Sequence, residues 1–308
     1  MTKKIVITMG DPAGCGPYIS LKAIEEFKDK GVEFFVIGDR AILERIPIFK
    51  KLAKRLVIFD AKTKGIEKIK PGLLSKLGGL ASLNYLKVAV KLVDRERIKT
   101  LVTAPVSKEA IGMSLPTFRG HTELLAGYYK VKNFAMMMVS QNLKVVLLTR
   151  HIPLRDVAGK LRKKLVFDTL TLIYSFLKNT FKIKKPKIAL ASLNPHAGIH
   201  TFLEREEKII RQAIKEFEEP VYGPYPADTL FLKDRITEYD CIICIYHDQA
   251  MIPFKLLSFK KGVNVTVGLP IVRTSPSHGV AFEVMRKKKE PFYSSMAEAI
   301  KLAYRLSL

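Results

Sequence analysis

The chain is 308 residues long, 48% of them apolar, with a formal charge of +24 at pH 7. That length supplies one large domain or two ordinary ones, and no apolar run approaches the roughly 18–20 residues that span a membrane. The charge permits nucleic-acid binding, but acids are interspersed among the lysines, as in EEFKDK and EREEKIIRQAIKEFEE, and no basic run is interleaved with aromatics; a solvated, Lys-rich, thermophile-like surface that also attracts phosphorylated small molecules is the better reading.

The N-terminus, MTKKIVITMGDPAG, carries too few apolar residues for a secretory h-region. A soluble cytoplasmic protein is therefore expected, with no membrane partner. KIVITMG reads as a buried strand. GDPAGCGPYIS (Gly10 to Ser20) leads from it into a helix with Pro17 at its start. Gly10, Gly14 and Gly16 allow positive φ, so this is either a tight strand-to-helix turn or a set of backbone N–H groups offered to an anion. It is not G-x-G-x-x-G, and no Rossmann fold is read from it. EFFVIGD, KRLVIFD and TLVTAPV continue the strand series.

In TAPVSKEAI (Thr103 to Ile111), Ser107 is an N-cap candidate, with Lys108 on the solvent side. LPTFRGHTE (Leu115 to Glu123) marks a change of domain. In GHTELLA, Thr122 is either an N-cap or a ligand contact. His121 beside it adds a donor at a helix entrance, where a phosphate or carboxylate is stabilised. KVVLLTR, KIALASL and DCIICIY are further buried strands, separated by the helical patterns VFDTLTLIYSFLKNTF and EREEKIIRQAIKEF. Alternation of apolar strands and helices predicts an α/β fold, a largely parallel sheet with helices on both faces. The segment VNVTVGLPIVRTSPSHG holds Asn264, Arg273 and His278 and returns the chain to the first domain. Arg273 forks onto a carboxylate or phosphate, or forms a salt bridge. The expected division is 1-118 plus 268-308 for the first domain and 119-267 for the second.

The three cysteines, Cys15, Cys241 and Cys244, form no disulfide framework. In CIIC the two thiols fall on opposite faces of a strand, which favours buried thiols over a redox pair.

Three of the six histidines occupy equivalent places. His151 follows KVVLLTR, His196 follows KIALASLNP and His247 follows DCIICIY. In open parallel sheets, ligands bind outside the carboxyl ends of strands. Three imidazoles there make a metal centre with an open position, the alternative being three hydrogen-bonded loop residues. Asp248 and Asp156 are candidate carboxylates to fix a ring tautomer, or, more plainly for Asp156, a surface acid or helix cap.

Taken in order, ITMGDPAGCGP, TAPVSKEAI, GHTELLA, HIPLRDV, LNPHAG, GPYPADTLF, YHDQAMIPFK and VNVTVGLPIVRTSPSHG resemble the 4-hydroxythreonine-4-phosphate dehydrogenase family of pyridoxal phosphate biosynthesis over nearly the whole chain. The resemblance implies a fold like the isocitrate and isopropylmalate dehydrogenases, with two α/β/α domains of mostly parallel sheets and a cleft between them, and a homodimer with its site at the subunit interface. It assigns metal ligation to His151, His196 and His247, and substrate binding to His121, Thr122, Lys255, Asn264 and Arg273. It also implies NAD or NADP as cofactor and a divalent zinc, cobalt or magnesium ion, with Asp248 or Lys255 relaying the hydroxyl proton. It identifies no cofactor-binding residue. The chain departs from the family pattern after NPHAG, where IHTFLEREE replaces an acidic, glycine-rich turn. It departs again at Ser277, Val280 and Glu283, positions expected near the nucleotide. A four-carbon sugar-acid phosphate dehydrogenase, for threonate or erythronate 4-phosphate, shares these motifs. Phosphate acyltransferases share the broader fold but have no use for three strand-end histidines. A basic nucleic-acid-binding protein is the non-enzymatic alternative.

Overall fold

A computed structural model describes residues 2–29, 31–198, 204–258 and 260–307. The strands are β1 (Lys3–Thr8), β2 (Val32–Gly38), β3 (Leu56–Asp60), β4 (Thr100–Thr103), β5 (Ala135–Val139), β6 (Lys144–Leu147), β7 (Ile188–Ala191), β8 (Val221–Tyr225), β9 (Cys241–Cys244), β10 (Val263–Val267) and β11 (Val272–Pro276). The helices are α1 (Gly16–Glu25), α2 (Arg40–Leu43), α3 (Ile48–Leu52), α4 (Lys76–Arg95), α5 (Lys108–Gly112), α6 (His121–Tyr128), α7 (Val157–Lys160), α8 (Lys163–Asn179), α9 (Glu204–Lys215), α10 (Ala227–Leu230), α11 (His247–Ser258), α12 (Phe282–Arg286) and α13 (Ser294–Leu306). Among the described residues no helix is long and apolar enough to cross a membrane.

The chain forms two compact units, Met1–Lys130 with Leu269–Leu308, and Val131–Gly268. In the first, the strands run β3-β2-β1-β4-β11 and every pairing is parallel. Ile5, Val6 and Ile7 of β1 and all four residues of β4 are buried, as strands covered on both faces require. Helix α4 starts at Ser75, whose side chain accepts the Gly78 N–H. The helix buries Leu83, Leu86, Val90 and Leu92, each stabilising by roughly 1.5–3 kcal/mol. Helix α13 closes the unit against β11.

In the second unit the order is β10-β5-β6-β9-β7-β8. Its β10/β5 and β5/β6 pairs are antiparallel, while β6/β9, β9/β7 and β7/β8 are parallel. The core there includes Val145, Leu147, Ala189, Ile242, Cys244 and Phe254. Both thiols of CIIC are buried and free, and burial pushes Cys241 up to about 12.

The units and the expected domain limits differ over residues 119–130 and at Gly268, which falls in the second unit. Helix α6 stays with the first unit because Tyr128 and Tyr129 both donate to the Asp94 carboxylate of α4, at 2.8 and 2.9 Å.

Candidate functional site

In the second unit, β6, β9 and β7 are adjacent and parallel, so their carboxyl ends share one edge of the sheet. His151 follows β6, His247 follows β9, and His196 follows β7. The ladder extends past β6, with Leu148 N donating to Cys244 O at 2.8 Å and Thr149 N to Ile245 O at 3.0 Å. This keeps the approaches to His151 and His247 in register. The two rings lie 5.5 Å apart, centroid to centroid, tilted at 42°. With metal–nitrogen bonds of about 2.1 Å, two imidazoles on one tetrahedral ion hold their ring centres roughly 5 Å apart, so this spacing fits a shared cation. His247 Nδ1 is 2.7 Å from Asp248 Oδ1. A carboxylate on one ring nitrogen fixes the tautomer and leaves Nε2 as the ligating lone pair.

His196 is placed differently. Like His151 it is exposed, but its backbone is left-handed, as is that of Ala197 (φ 55° and 54°). Two consecutive non-glycine residues in that region cost on the order of 1–2 kcal/mol each. Among the described residues no group of three or more His, Cys, Asp or Glu side chains is placed to hold an ion. The structure thus brings His151 and His247 together and does not bring His196 into their group. The IHTFL departure at 199–203 lies outside the described residues.

His247 was expected in a loop; it is instead the first residue of α11, with Asp248 in the first turn. Lys255 is two turns further along, exposed, with no hydrogen bond or ion pair among the described residues. Asn264 lies on β10 opposite Met138, and its buried Oδ1 has no partner among the described residues. Asp156 makes no cap bond to α7 and stands 3.9 Å from Arg155, an ordinary surface acid.

The first unit holds the other candidates. Arg273 on β11 is 2% exposed. It donates to Thr103 Oγ1 from Nη2 at 2.6 Å and from Nε at 3.2 Å. Burial pulls its pKa down to about 9, partly offset by the nearby Glu123 carboxylate, so the guanidinium keeps its proton at neutral pH. Thr122 is buried in the second position of α6. It is not the N-cap the sequence suggested, for that place belongs to Gly120. Gly120 has φ +154°, and a Cβ there would lie 3.1 Å from Glu123 Oε2 and 3.4 Å from Lys108 Cε. At φ +154° and ψ 178° the backbone there is one that glycine alone adopts readily; the N-cap of α5 is Ser107, as expected.

His121 departs from its expected role as a donor. Burial, then the Arg273 and Lys108 charges, hold it well below the usual imidazole range, so it is neutral. Its bond to the backbone of Ala104 takes one ring nitrogen, while the enclosed Nε2 has no partner. With the ring N–H on a carbonyl, Nε2 offers a lone pair: an acceptor rather than a donor.

The glycine loop resolves as a structural turn. Asp11 N bonds Pro105 O, Ala13 N bonds the Asp11 carboxylate, Gly14 N bonds Asp11 O, and Cys15 N bonds Val280 O. These donors are not open to an anion. A Cβ at Gly10 (φ +71°) would meet Pro105 O at 2.3 Å, so the loop rests directly on the end of β4.

Sequence reasoning passed over Asp11, Thr103 and Glu123. Asp11 is 1% exposed, and burial pushes its carboxyl up to about 6 against lowering hydrogen bonds from Ala13 and Ser107. The ordinary value is 3.8. The folded state therefore binds the extra proton between those values, and the cost of the ionised group is absent below 3.8 and complete above 6. Asp11→Asn is expected to stabilise the protein by about 3 kcal/mol at neutral pH and by nothing below pH 3.8. Urea unfolding at both pH values checks this, and an equal effect at both contradicts it.

Comparison with known proteins gives one consistent picture. The family model of the pyridoxal phosphate biosynthetic protein PdxA matches residues 29–303. A 4-hydroxythreonine-4-phosphate dehydrogenase of Sulfurihydrogenibium sp. is 37% identical, covering 97% of each chain. A D-threonate 4-phosphate dehydrogenase of Salmonella typhimurium is 36% identical, covering 99% of each. Among solved structures, 4-hydroxythreonine-4-phosphate dehydrogenase from Klebsiella pneumoniae superposes with TM-score 0.85 at 32% identity, covering 100% of this chain and 98% of that one.

Proposed function

The chain belongs to the family of the pyridoxal phosphate biosynthetic protein PdxA, and from that premise we propose that it oxidises the secondary hydroxyl of 4-phosphohydroxy-L-threonine with NAD or NADP. The product is the β-keto acid 2-amino-3-oxo-4-phosphooxybutanoate, which loses carbon dioxide to give 3-amino-2-oxopropyl phosphate. The observation that carries the reading is the His151–His247 pair at the ends of adjacent parallel strands, with Asp248 on the far nitrogen of His247.

His151, His247 and His196 are the residues assigned to a divalent ion such as zinc, cobalt or magnesium. A cation held there would supply positive charge to acidify a substrate hydroxyl and to offset developing enolate charge, and a bound nicotinamide would supply the hydride acceptor. The chain's own residues do the rest. Arg273 and Lys255 bind anionic groups of the substrate, Arg273 as a desolvated planar fork and Lys255 as an exposed point charge. Asn264 orients the substrate through its unpartnered Oδ1. Thr122 lines the same binding set as His121, and His121 accepts a substrate donor through Nε2. Asp248 or Lys255, exposed ionisable groups of α11, passes the hydroxyl proton to solvent.

The same reading makes the chain a homodimer with its site at the subunit interface. On α11, Ile252, Leu256 and Leu257 are 61%, 81% and 53% exposed, a cluster of apolar side chains that a second copy would cover. Cytoplasmic location belongs to this reading as well.

A second substrate has support from the Salmonella relative: D-threonate 4-phosphate, which lacks the 2-amino group. A metal-replete assay of NADH or NADPH formation with both substrates separates the two. The expected result is at least about a 100-fold preference in kcat/KM for the amino substrate, or about 2.7 kcal/mol. Preference for the threonate would replace the proposed substrate while leaving the reaction class intact.

A further inference from the structure

The cation reading leaves open what sets the distance between the loops after β9 and β7, which carry His247 and His196. One side chain ties them. Gln249, in the first turn of α11, accepts the Ile245 N–H through Oε1 at 2.7 Å and donates Nε2 to Ser192 O at 2.7 Å. Ile245 stands just past β9, and Ser192 is the first residue past β7. One partner is a backbone donor and the other a backbone acceptor, so the orientation of the amide is fixed by its surroundings. The far side of the β7 loop is held by Glu207 of α9. Its buried Oε1 accepts the Leu193 and Asn194 N–H groups at 3.0 and 2.8 Å. Ser192 N is held in turn by Tyr225 O at 2.7 Å. The short path from Ser192 to the strained His196 is therefore clamped between α9 and the start of α11.

We propose that Gln249 is a positioning residue that ties the start of α11 to the loop after β7, holds His247 in place beside His151, and so determines how tightly that pair holds a divalent cation. The proposal rests on the reading that these histidines hold a cation. Gln249 touches neither ring, and its action is through Ile245 and Ser192. Gln249→Glu is the informative change. The carboxylate still accepts from Ile245 N but faces Ser192 O with no hydrogen to give, so the tie to β7 alone becomes repulsive. Gln249→Met removes both bonds without adding charge.

The test is Co2+ titration of the chelator-stripped full chain, followed by absorbance, beside metal-free thermal melts. Gln249→Glu is expected to raise the Co2+ Kd by about 10–100-fold, with the metal-free Tm shifted by no more than a few degrees. A merely structural role would lower the Tm and leave the Kd in place, which overturns the proposal. Should Gln249→Glu melt far below the wild type, Gln249→Met is read by the same criterion; misfolding of both, or wild-type affinity in the one that folds, also overturns it. Absence of Co2+ binding by the wild-type chain, or wild-type affinity in His247→Ala, removes the cation reading itself. Binding that is lost in His247→Ala but unchanged in the Gln249 variants removes only the positioning role.

Discussion

His247→Ala is expected to abolish stoichiometric divalent-metal binding and lower kcat/KM by on the order of 10³-fold or more, about 4 kcal/mol. The ring stands 5.5 Å from that of His151, and Asp248 engages its other nitrogen. Alanine leaves His151 alone on that side of the site and Asp248 without its imidazole. The fold should survive, because His247 is only half-buried and opens a helix whose packing rests on Ala250, Met251 and Phe254. Metal content after gel filtration and turnover with added Zn2+, Co2+ or Mg2+ are the measurements. Wild-type turnover by this variant in the presence of chelator would end the proposal.

Arg273→Met is expected to weaken the phosphorylated substrate by about 10²–10³-fold in KM while leaving stability unchanged or improving it by about 1–3 kcal/mol. Arg273 is among the largest fully buried side chains of the chain. Its Thr103 contacts satisfy hydrogen bonds but supply no negative charge. Desolvating a guanidinium costs several kcal/mol unless a counter-charge is close. The Glu123 carboxylate offsets part of this, and an anionic substrate would offset more. Methionine keeps much of the volume, so cavity formation does not confuse the result. The cost of the buried charge is fully present below pH 9, which covers the assay range. Substrate saturation curves and urea melts decide the matter: a large loss of stability with unchanged KM would make Arg273 a structural residue.

Much of the candidate site was legible in the residues alone. Three histidines after three apolar runs point to one edge of a parallel sheet, and the strand order β6-β9-β7 puts those ends side by side. The buried strands KIVITMG, KVVLLTR and DCIICIY stand out because continuous burial leaves no polar alternation. Less legible were α4, the longest helix described, and the strands β5, β8, β10 and β11. Their patterns are short or diluted, as in AMMMV beside loop residues and VYGPY with its glycine and proline. Period-based reading has little to hold in strands of 5 residues, and in α4 the glycines and polar residues among the apolar ones blur the stripe.

The sequence by itself determined the α/β class and the family, through motifs whose residue types and order are local and need no third dimension. It also marked the histidines, because each follows its own strand directly. Tertiary structure decided what depends on neighbours distant in the chain. Asp11 and Pro105 turned the glycine loop from an anion cradle into a packed turn by taking its N–H groups. Burial and two cations made His121 a neutral acceptor. Gly120 allowed α6 to begin at His121 and left Thr122 inside the helix rather than at its cap. Gln249 joined the start of α11 to Ser192, 57 residues away in the sequence. Protonation state, donor direction and loop register are set by what surrounds a group, and that information exists only once the chain has folded.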